Sequence, residues 1–136
     1  MPQVQCRILC IDDHDDTSEM LKLILSNEDY EVVTARTGEE ALQLAKSGEF
    51  DLYVLDKHLP DRNGLDLCSE LNLITPGVPC LFYSGDAYAI HRSEALAAGA
   101  HAYVVKPDID GLIDAVRELL AEKECATATA AATASI

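Results

Sequence analysis

Positive charge is scarce in this 136-residue sequence: ten Lys and Arg stand against 24 Asp and Glu, a formal net charge of -14 with His neutral. A nucleic-acid footprint needs clustered Lys and Arg to neutralise phosphates, and none cluster here, which argues against direct nucleic-acid binding. Long apolar runs are missing too. None approaches the roughly 18 residues of a membrane span, and the N-terminus lacks a basic segment followed by an apolar stretch. No membrane association is expected, and a cytoplasmic location is. The five cysteines, Cys6, Cys10, Cys68, Cys80 and Cys125, are odd in number and form no C-x-x-C pair or zinc-type Cys/His spacing. A reducing compartment is implied, with Cys6, Cys10 and Cys80 acting as small hydrophobes in or beside apolar runs. No internal repeat is apparent, and the length suits one domain with one core region.

What is present is an alternation. Short apolar or β-rich runs at Arg7–Ile11, Glu31–Ala35, Leu52–Leu55, 80–83 and Ala102–Val105 are each followed by a segment of helical period. This predicts an α/β fold: a doubly wound, five-stranded parallel sheet with helices on both faces. Right-handed crossovers with the first strand inside the sheet give the order 2-1-3-4-5. Leu52-Tyr53-Val54-Leu55 and Cys80-Leu81-Phe82-Tyr83 are apolar throughout and suit central strands, whereas Glu31-Val32-Val33-Thr34-Ala35 suits an edge. Asp16 with Glu19, and Thr37 with Glu40, read as capping boxes, and Gly48 as a helix stop. Later helices are expected from Gly64 or Leu65 to about Asn72, from near Asp86 to Gly99, and from Asp108 to Asp110 onward through Leu112, Ile113, Val116, Leu119 and Leu120. The domain is expected to occupy residues 1–123, and the Ala/Thr-rich stretch 124–136 to be a mobile tail with little to bury.

The strand ends carry the chemistry. Asp12 and Asp13 follow the first strand, Asp56 the third, Ser84 the fourth, and Lys106 with Pro107 the fifth. In a parallel sheet all of these meet at the carboxyl edge, where open α/β sheets hold their ligands. Clustered carboxylates repel one another until a proton or a hard cation intervenes. Mg²⁺ takes oxygen ligands and is held by one or two carboxylates plus a phosphate, with Asp13 and Asp56 as the expected direct ligands. A carboxylate is also a nucleophile toward phosphorus. Lys106 and Ser84 would then supply a positive charge and a hydroxyl donor to the phosphoryl oxygens.

Four segments, Ile8-Leu9-Cys10-Ile11-Asp12-Asp13, the run from Asp51-Leu52-Tyr53 through Asp56-Lys57-His58-Leu59-Pro60-Asp61-Arg62-Asn63-Gly64, Tyr83-Ser84-Gly85, and Gly99-Ala100-His101-Ala102-Tyr103-Val104-Val105-Lys106-Pro107, resemble the receiver domain of bacterial two-component response regulators. The resemblance spans roughly residues 6–123 and implies the flavodoxin-like fold. It implies that Asp56 accepts a phosphoryl group from a histidine kinase or phosphotransfer protein. It further implies that Asp12, Asp13, Asp56 and the His58 backbone carbonyl hold Mg²⁺, that Ser84 and Tyr103 form the switch, and that Lys106 is the family lysine. The module would assist its own phosphotransfer and hydrolysis without turning over a separate substrate. It would bind a downstream protein, as a monomer or a phosphorylation-linked dimer, and stand alone, act in a relay or form part of a larger regulator.

Three other readings fit the residues less well. An unphosphorylated pseudo-receiver is disfavoured because every site position holds a competent residue. A Mg²⁺-dependent aspartyl-phosphate phosphatase commonly has a second Asp two residues after the nucleophile, where this chain has His58. A flavodoxin-type electron carrier needs a phosphate-cradling loop after the first strand, where Asp12 and Asp13 would repel FMN. Lys57 and His58 depart from the apolar or neutral polar residues usual at their positions. His58 and Asp86 are expected to flank the path of a hydrolytic water. His14 follows the acidic pair and is within reach of the metal but is read as a loop residue in preference to a ligand; His91 and His101 are read as residues without a site role, Asp15 and Asp16 as helix caps, Phe82 and Tyr83 as core, and Asp61 and Asn63 as a turn closed by Gly64.

Overall fold

Successive residues of each strand feed two apolar cores, one on either face of a single sheet. The computed structural model describes residues 5–85 and 89–121. Its elements run β1 (Arg7–Ile11), α1 (Asp15–Asn27), β2 (Glu31–Ala35), α2 (Gly38–Ser47), β3 (Leu52–Leu55), α3 (Gly64–Ile74), β4 (Cys80–Ser84), α4 (Ala89–Ala97), β5 (Ala102–Val105) and α5 (Ile109–Ala121). The five strands are parallel in the order β2-β1-β3-β4-β5, as the alternation predicts. The polar-ended β2 does lie at an edge.

The period-two pattern of the strands decides which helix meets which core. Leu9, Ile11, Tyr53, Leu55, Cys80, Phe82 and Tyr103 pack with Ala41 and Ala45 of α2, Leu67, Cys68 and Leu71 of α3, and Ala95 of α4. Ile8, Cys10, Leu52, Val54, Leu81, Tyr83 and Val104 pack on the opposite face with Leu21 and Leu25 of α1 and Leu112, Val116 and Leu120 of α5. Each fully buried Leu contributes about 2 kcal/mol by removal from water. Cys10, Cys68 and Cys80 are buried free thiols; burial, with the Asp12 charge adding to it, pushes the Cys10 thiol up to about 12, so it behaves as a hydrophobe.

Helix starts are where the sequence reading needs correction. The Asp16 and Glu19 capping box does not form: α1 begins two residues earlier than that box implies, at Asp15, with His14 in the cap position and no side-chain cap. The Asp12 carboxylate accepts the His14 backbone N–H at 2.9 Å and pins the chain at the entry to the helix. Asp15 and Asp16 therefore lie in the first turn, where they complement the positive end of the helix dipole. The second expected box is real in a modified form. Thr37 Oγ1 accepts the Glu40 N–H at 3.1 Å, and Glu40 Oε1 accepts the Arg36 N–H at 2.8 Å. Helix α2 stops at Gly48 as expected, but with extended backbone at φ -123°, so glycine's left-handed freedom is not what ends it.

Asn63 is no mere turn residue. It caps α3, accepting the Leu65 N–H at 2.7 Å, and Gly64 opens the helix, which runs two residues beyond the expected end to Ile74. β4 is one residue longer than expected, through Ser84. The fifth helix starts at Ile109, inside the expected window, after Asp108 Oδ1 accepts the Gly111 N–H at 2.9 Å. The expected start of α4 near Asp86, Asp86 itself and the 124–136 stretch fall outside the described residues.

Candidate functional site

Asp12 and Asp56 follow adjacent strands. Ile11 pairs with Leu55 across the β1–β3 ladder, so the residues after them emerge side by side, and the Asp56 N–H reaches back to the Ile11 carbonyl at 2.9 Å. Both are held in protein: Asp12 is 3% exposed and Asp56 5%. Lys106, just past β5, crosses the sheet edge to join them, its Nζ lying 2.8 Å from Asp12 Oδ2 and 3.4 Å from Asp56 Oδ2. The bond before Pro107 is cis. Asp12, Asp13, His14 and Asp56 each offer a ligand-type atom, all within 4.8 Å of one another.

The three carboxylates are not equivalent. Asp12 is saturated: Oδ2 takes the Lys106 ammonium, and Oδ1 takes both the backbone N–H and the ring Nδ1–H of His14, each at 2.9 Å. Asp13 Oδ1 is a buried carboxylate oxygen with no hydrogen-bond partner among the described residues, with His14 Nδ1 at 3.2 Å. Burial and then the Asp12 charge lift the Asp56 pKa; the Lys106 ammonium and the His58 backbone N–H oppose that rise without cancelling it. For Lys106, burial works against the ammonium, but the hydrogen bond to Asp12 and the charges of Asp56 and Asp12 outweigh it and hold the pKa high. An orphaned carboxylate oxygen beside a second carboxylate raised by burial fits a hard dication with oxygen ligands. Asp13 and Asp56 retain lone pairs for direct contact, whereas Asp12 is positioned to act through water or Lys106.

Ser84 ends β4 fully buried, and its Oγ has no hydrogen-bond partner among the described residues. Its carbonyl accepts the Lys106 N–H at 2.8 Å, which ties the hydroxyl-bearing and lysine-bearing strand ends together. Tyr103 sits in the core that also holds Phe82, 7% exposed, with its ring stacked on Phe82 at 6.1 Å between centroids and the Arg92 guanidinium of α4 at 6.0 Å. Phe82 and Tyr83 are core, as expected. His58 is exposed, and its backbone forms an isolated antiparallel bridge with Asn63.

Four roles were not read from the sequence. His14 is drawn into the acidic cluster instead of lying in a loop apart from it; the signal was its place next to the acidic pair, at a helix start with no good capping residue. Lys57 is buried, and its Nζ bonds His91 Nδ1 and Glu94 Oε1 of α4, the latter at 3.3 Å, so it is neither a solvated loop residue nor solely a neighbour of Asp56. His91, read as having no role, is thereby part of a contact between α4 and the β3 end. The Asp61 carboxylate caps the start of α2, accepting the Gly38 and Glu39 N–H groups at 2.8 and 2.9 Å.

Comparison with known proteins agrees with this geometry. The family model of the response regulator receiver domain matches residues 8–132. The cell cycle transcriptional regulator CtrA of Caulobacter vibrioides is 34% identical over 101 residues, which cover 74% of this chain and 44% of that protein. The response regulator ArlR of Staphylococcus epidermidis is 32% identical over 114 residues, covering 83% of this chain and 52% of that protein. This chain thus spans about half the length of these curated relatives. Among solved structures, a CheY-like response regulator receiver domain protein from Methanospirillum hungatei superposes with a TM-score of 0.82 at 34% identity, covering 87% of this chain and 95% of that one. The response regulator TrrA from Thermotoga maritima, in complex with Mg²⁺-BeF, superposes with a TM-score of 0.78 at 37% identity, covering 85% and 100%. The family uses Mg²⁺ at an acidic pocket, and its members work with histidine kinases or phosphotransfer proteins. No helix among the described residues is long and apolar enough to cross a membrane. On the strength of the matched family model and these relatives, the chain belongs to the response regulator receiver domain family of two-component signalling.

Proposed function

We propose that this chain is a phosphorylation-controlled signalling module in which Asp56 accepts a phosphoryl group from the phosphohistidine of a histidine kinase or phosphotransfer protein. The observation that carries this reading is the Lys106 ammonium set between the Asp12 and Asp56 carboxylates, beside the unpartnered Asp13 oxygen. An Asp56 oxygen attacks phosphorus as the N–P bond of the donor breaks, and the leaving imidazole keeps the electron pair and takes up a proton. Asp12, Asp13, Asp56 and the His58 carbonyl would hold Mg²⁺, which supplies positive charge to the equatorial oxygens of the transferring group. Lys106 can leave Asp56 for a phosphoryl oxygen without losing Asp12, since the Asp12 contact is the shorter of its two.

The same reading gives Ser84 and Tyr103 the switch. A buried hydroxyl with no partner lacks what a phosphoryl oxygen supplies. Movement of the Ser84 backbone toward that oxygen would disturb the β4 and α4 surroundings that hold the Tyr103 ring against Phe82 and Arg92. A ligand shifts a population only through such a difference in contacts. The chain then alters its surface for a downstream protein partner, without direct nucleic-acid contact. On this reading His58 and Asp86 flank the path of the hydrolytic water and tune dephosphorylation. Location in the cytoplasm accords with this reading.

The test is incubation with Mg²⁺ and a small phosphodonor such as acetyl phosphate, followed by intact mass. A gain of one phosphoryl group in the native chain, absent from Asp56→Asn, is expected. No acyl phosphate across several donors and a cognate-type kinase would return the chain to the pseudo-receiver reading.

A further inference from the structure

Among the described residues His14 is the one imidazole in the carboxylate cluster. It occupies the α1 cap position, yet its side chain makes no cap hydrogen bond and is turned toward the acids instead. Its Nδ1 lies 2.9 Å from Asp12 Oδ1, 3.2 Å from Asp13 Oδ1 and 4.0 Å from Asp56 Oδ2. Ligands roughly 2.1 Å from an octahedral ion stand about 3.0 Å apart when adjacent and about 4.2 Å apart when opposite. The distances from the imidazole nitrogen to the Asp13 and Asp56 oxygens are close to one edge and one diagonal of such a shell, and the 2.9 Å to Asp12 is the hydrogen bond the ring would give up. The Asp13 oxygen nearest this nitrogen is buried, has no hydrogen-bond partner among the described residues, and faces only the His14 ring at 3.2 Å.

Resting on the reading of this cluster as the cation site, we propose that His14 is a further metal ligand and that it tunes the site toward a first-row transition dication, such as Mn²⁺ or Zn²⁺, ahead of Mg²⁺. Mg²⁺ demands oxygen ligands and gains little from an imidazole, whereas nitrogen donors strengthen binding along the series from Mn²⁺ upward. Asp13 and Asp56 supply the carboxylates any dication needs. His14 supplies the selectivity, exchanging its bond to Asp12 Oδ1 for a bond to the ion. Asp12 keeps the Lys106 ammonium and the His14 backbone N–H when the ring leaves, so no buried charge is stranded. The His14 side chain is 65% exposed, so the ring has room for this adjustment.

The unphosphorylated 136-residue chain answers the question by binding alone. Mn²⁺ affinity is measured from the paramagnetic resonance of the free ion, Mg²⁺ affinity by displacement, and nitrogen ligation by pulsed resonance of bound Mn²⁺. The native chain is expected to show ¹⁴N coupling. His14→Ala, and His14→Gln as a second replacement, should lose that coupling and weaken Mn²⁺ binding by about tenfold or more, while Mg²⁺ binding changes less than about threefold. Absence of ¹⁴N coupling in the native chain overturns the proposal. So does an equal loss for both ions, or a rise in Mg²⁺ affinity in His14→Ala with Mn²⁺ unmoved, which would make His14 a plug instead of a ligand. Asp13→Asn separates the two levels of the argument: it should weaken both ions in every background, and undiminished binding there would overturn the cation-site reading itself.

Discussion

The Lys57 ammonium, buried immediately after Asp56, is tied to Glu94 Oε1 of α4 at 3.3 Å and to His91 Nδ1 on the same helix. A charge with so little solvent must be compensated by its partners. Removing the acid takes away one charged partner of the buried ammonium, whereas replacing the lysine by an apolar chain of similar length removes the need for a partner. Glu94 is half exposed, which discounts the effect. Glu94→Ala is therefore expected to destabilise by about 1–2 kcal/mol, and Lys57→Met to be within about 1 kcal/mol of the native chain in either direction. Urea unfolding of the two variants and their double mutant measures this. A larger loss for Lys57→Met than for Glu94→Ala would show that the contact stabilises through more than charge compensation.

Asp61 anchors the loop after β3 to the start of α2. Burial acts against its carboxylate, but the Gly38 and Glu39 N–H groups and the Arg62 charge outweigh that and hold its pKa below the usual carboxylate range. A depressed folded pKa means stability that is fully present above the unfolded pKa, near 3.9, and lost as pH falls through the folded value. Asp61→Ala should cost about 1 kcal/mol at pH 7, the usual worth of a helix cap. The difference in stability between the two proteins should shrink steadily below about pH 4. Denaturant curves at several pH values check it, and a gap independent of pH would assign the loss to packing.

Asp56 has the opposite sign. Its folded pKa is raised by burial and by Asp12, so the ionised form opposes folding above the unfolded pKa, and that cost disappears as pH falls below it. Asp56→Asn should stabilise the cation-free protein at pH 7 by an amount of the order of 1 kcal/mol. The advantage should fade on acidification, and added Mg²⁺ should raise the thermal midpoint of the native chain but not of the variant. Thermal melts with and without the ion decide the matter. An unstable Asp56→Asn at neutral pH would mean that Lys106 depends on Asp56 more than on Asp12.

The fold and the acidic cluster were legible because both follow from local rules applied to short segments. Parallel pairing puts Asp12, Asp56, Ser84 and Lys106 on one edge whatever the helices do, and four of the five strands end where their apolar runs end. What could not be read was where long polar side chains travel. Lys57 reaches α4 across 34 residues of sequence to His91, and Asp61 reaches back 23 residues to Gly38. Neither distance leaves a periodicity. His14 failed for a different reason: cap statistics favour Asp16, but the Asp12 carboxylate takes the His14 N–H first and moves the helix start forward.

Gly64 fixes the distance between the Asp56 loop and α3. Its N–H bonds the Lys57 carbonyl at 2.6 Å, and a Cβ added to it would come within 2.8 Å of Lys57 Cα and closer still to the Asp56 carbonyl oxygen. Both obstacles are backbone atoms of the segment that carries the phosphoacceptor, so they cannot swing aside as a flexible side chain does. Gly64→Ala must push α3 away or displace the 56–58 backbone, at a cost of about 1–3 kcal/mol for overpacking. Displacement would also move the His58 carbonyl and so weaken Mg²⁺ binding, whereas retreat of α3 would leave the ion affinity intact and loosen the packing of Leu67 and Leu71. The expected outcome is the first, because α3 is held in the core by Leu67, Cys68 and Leu71, all fully buried, while the 56–58 segment is a loop. Parallel measurements of unfolding free energy and Mg²⁺ affinity on Gly64→Ala separate the two, and a destabilised variant with native Mg²⁺ affinity would place the yielding element in α3.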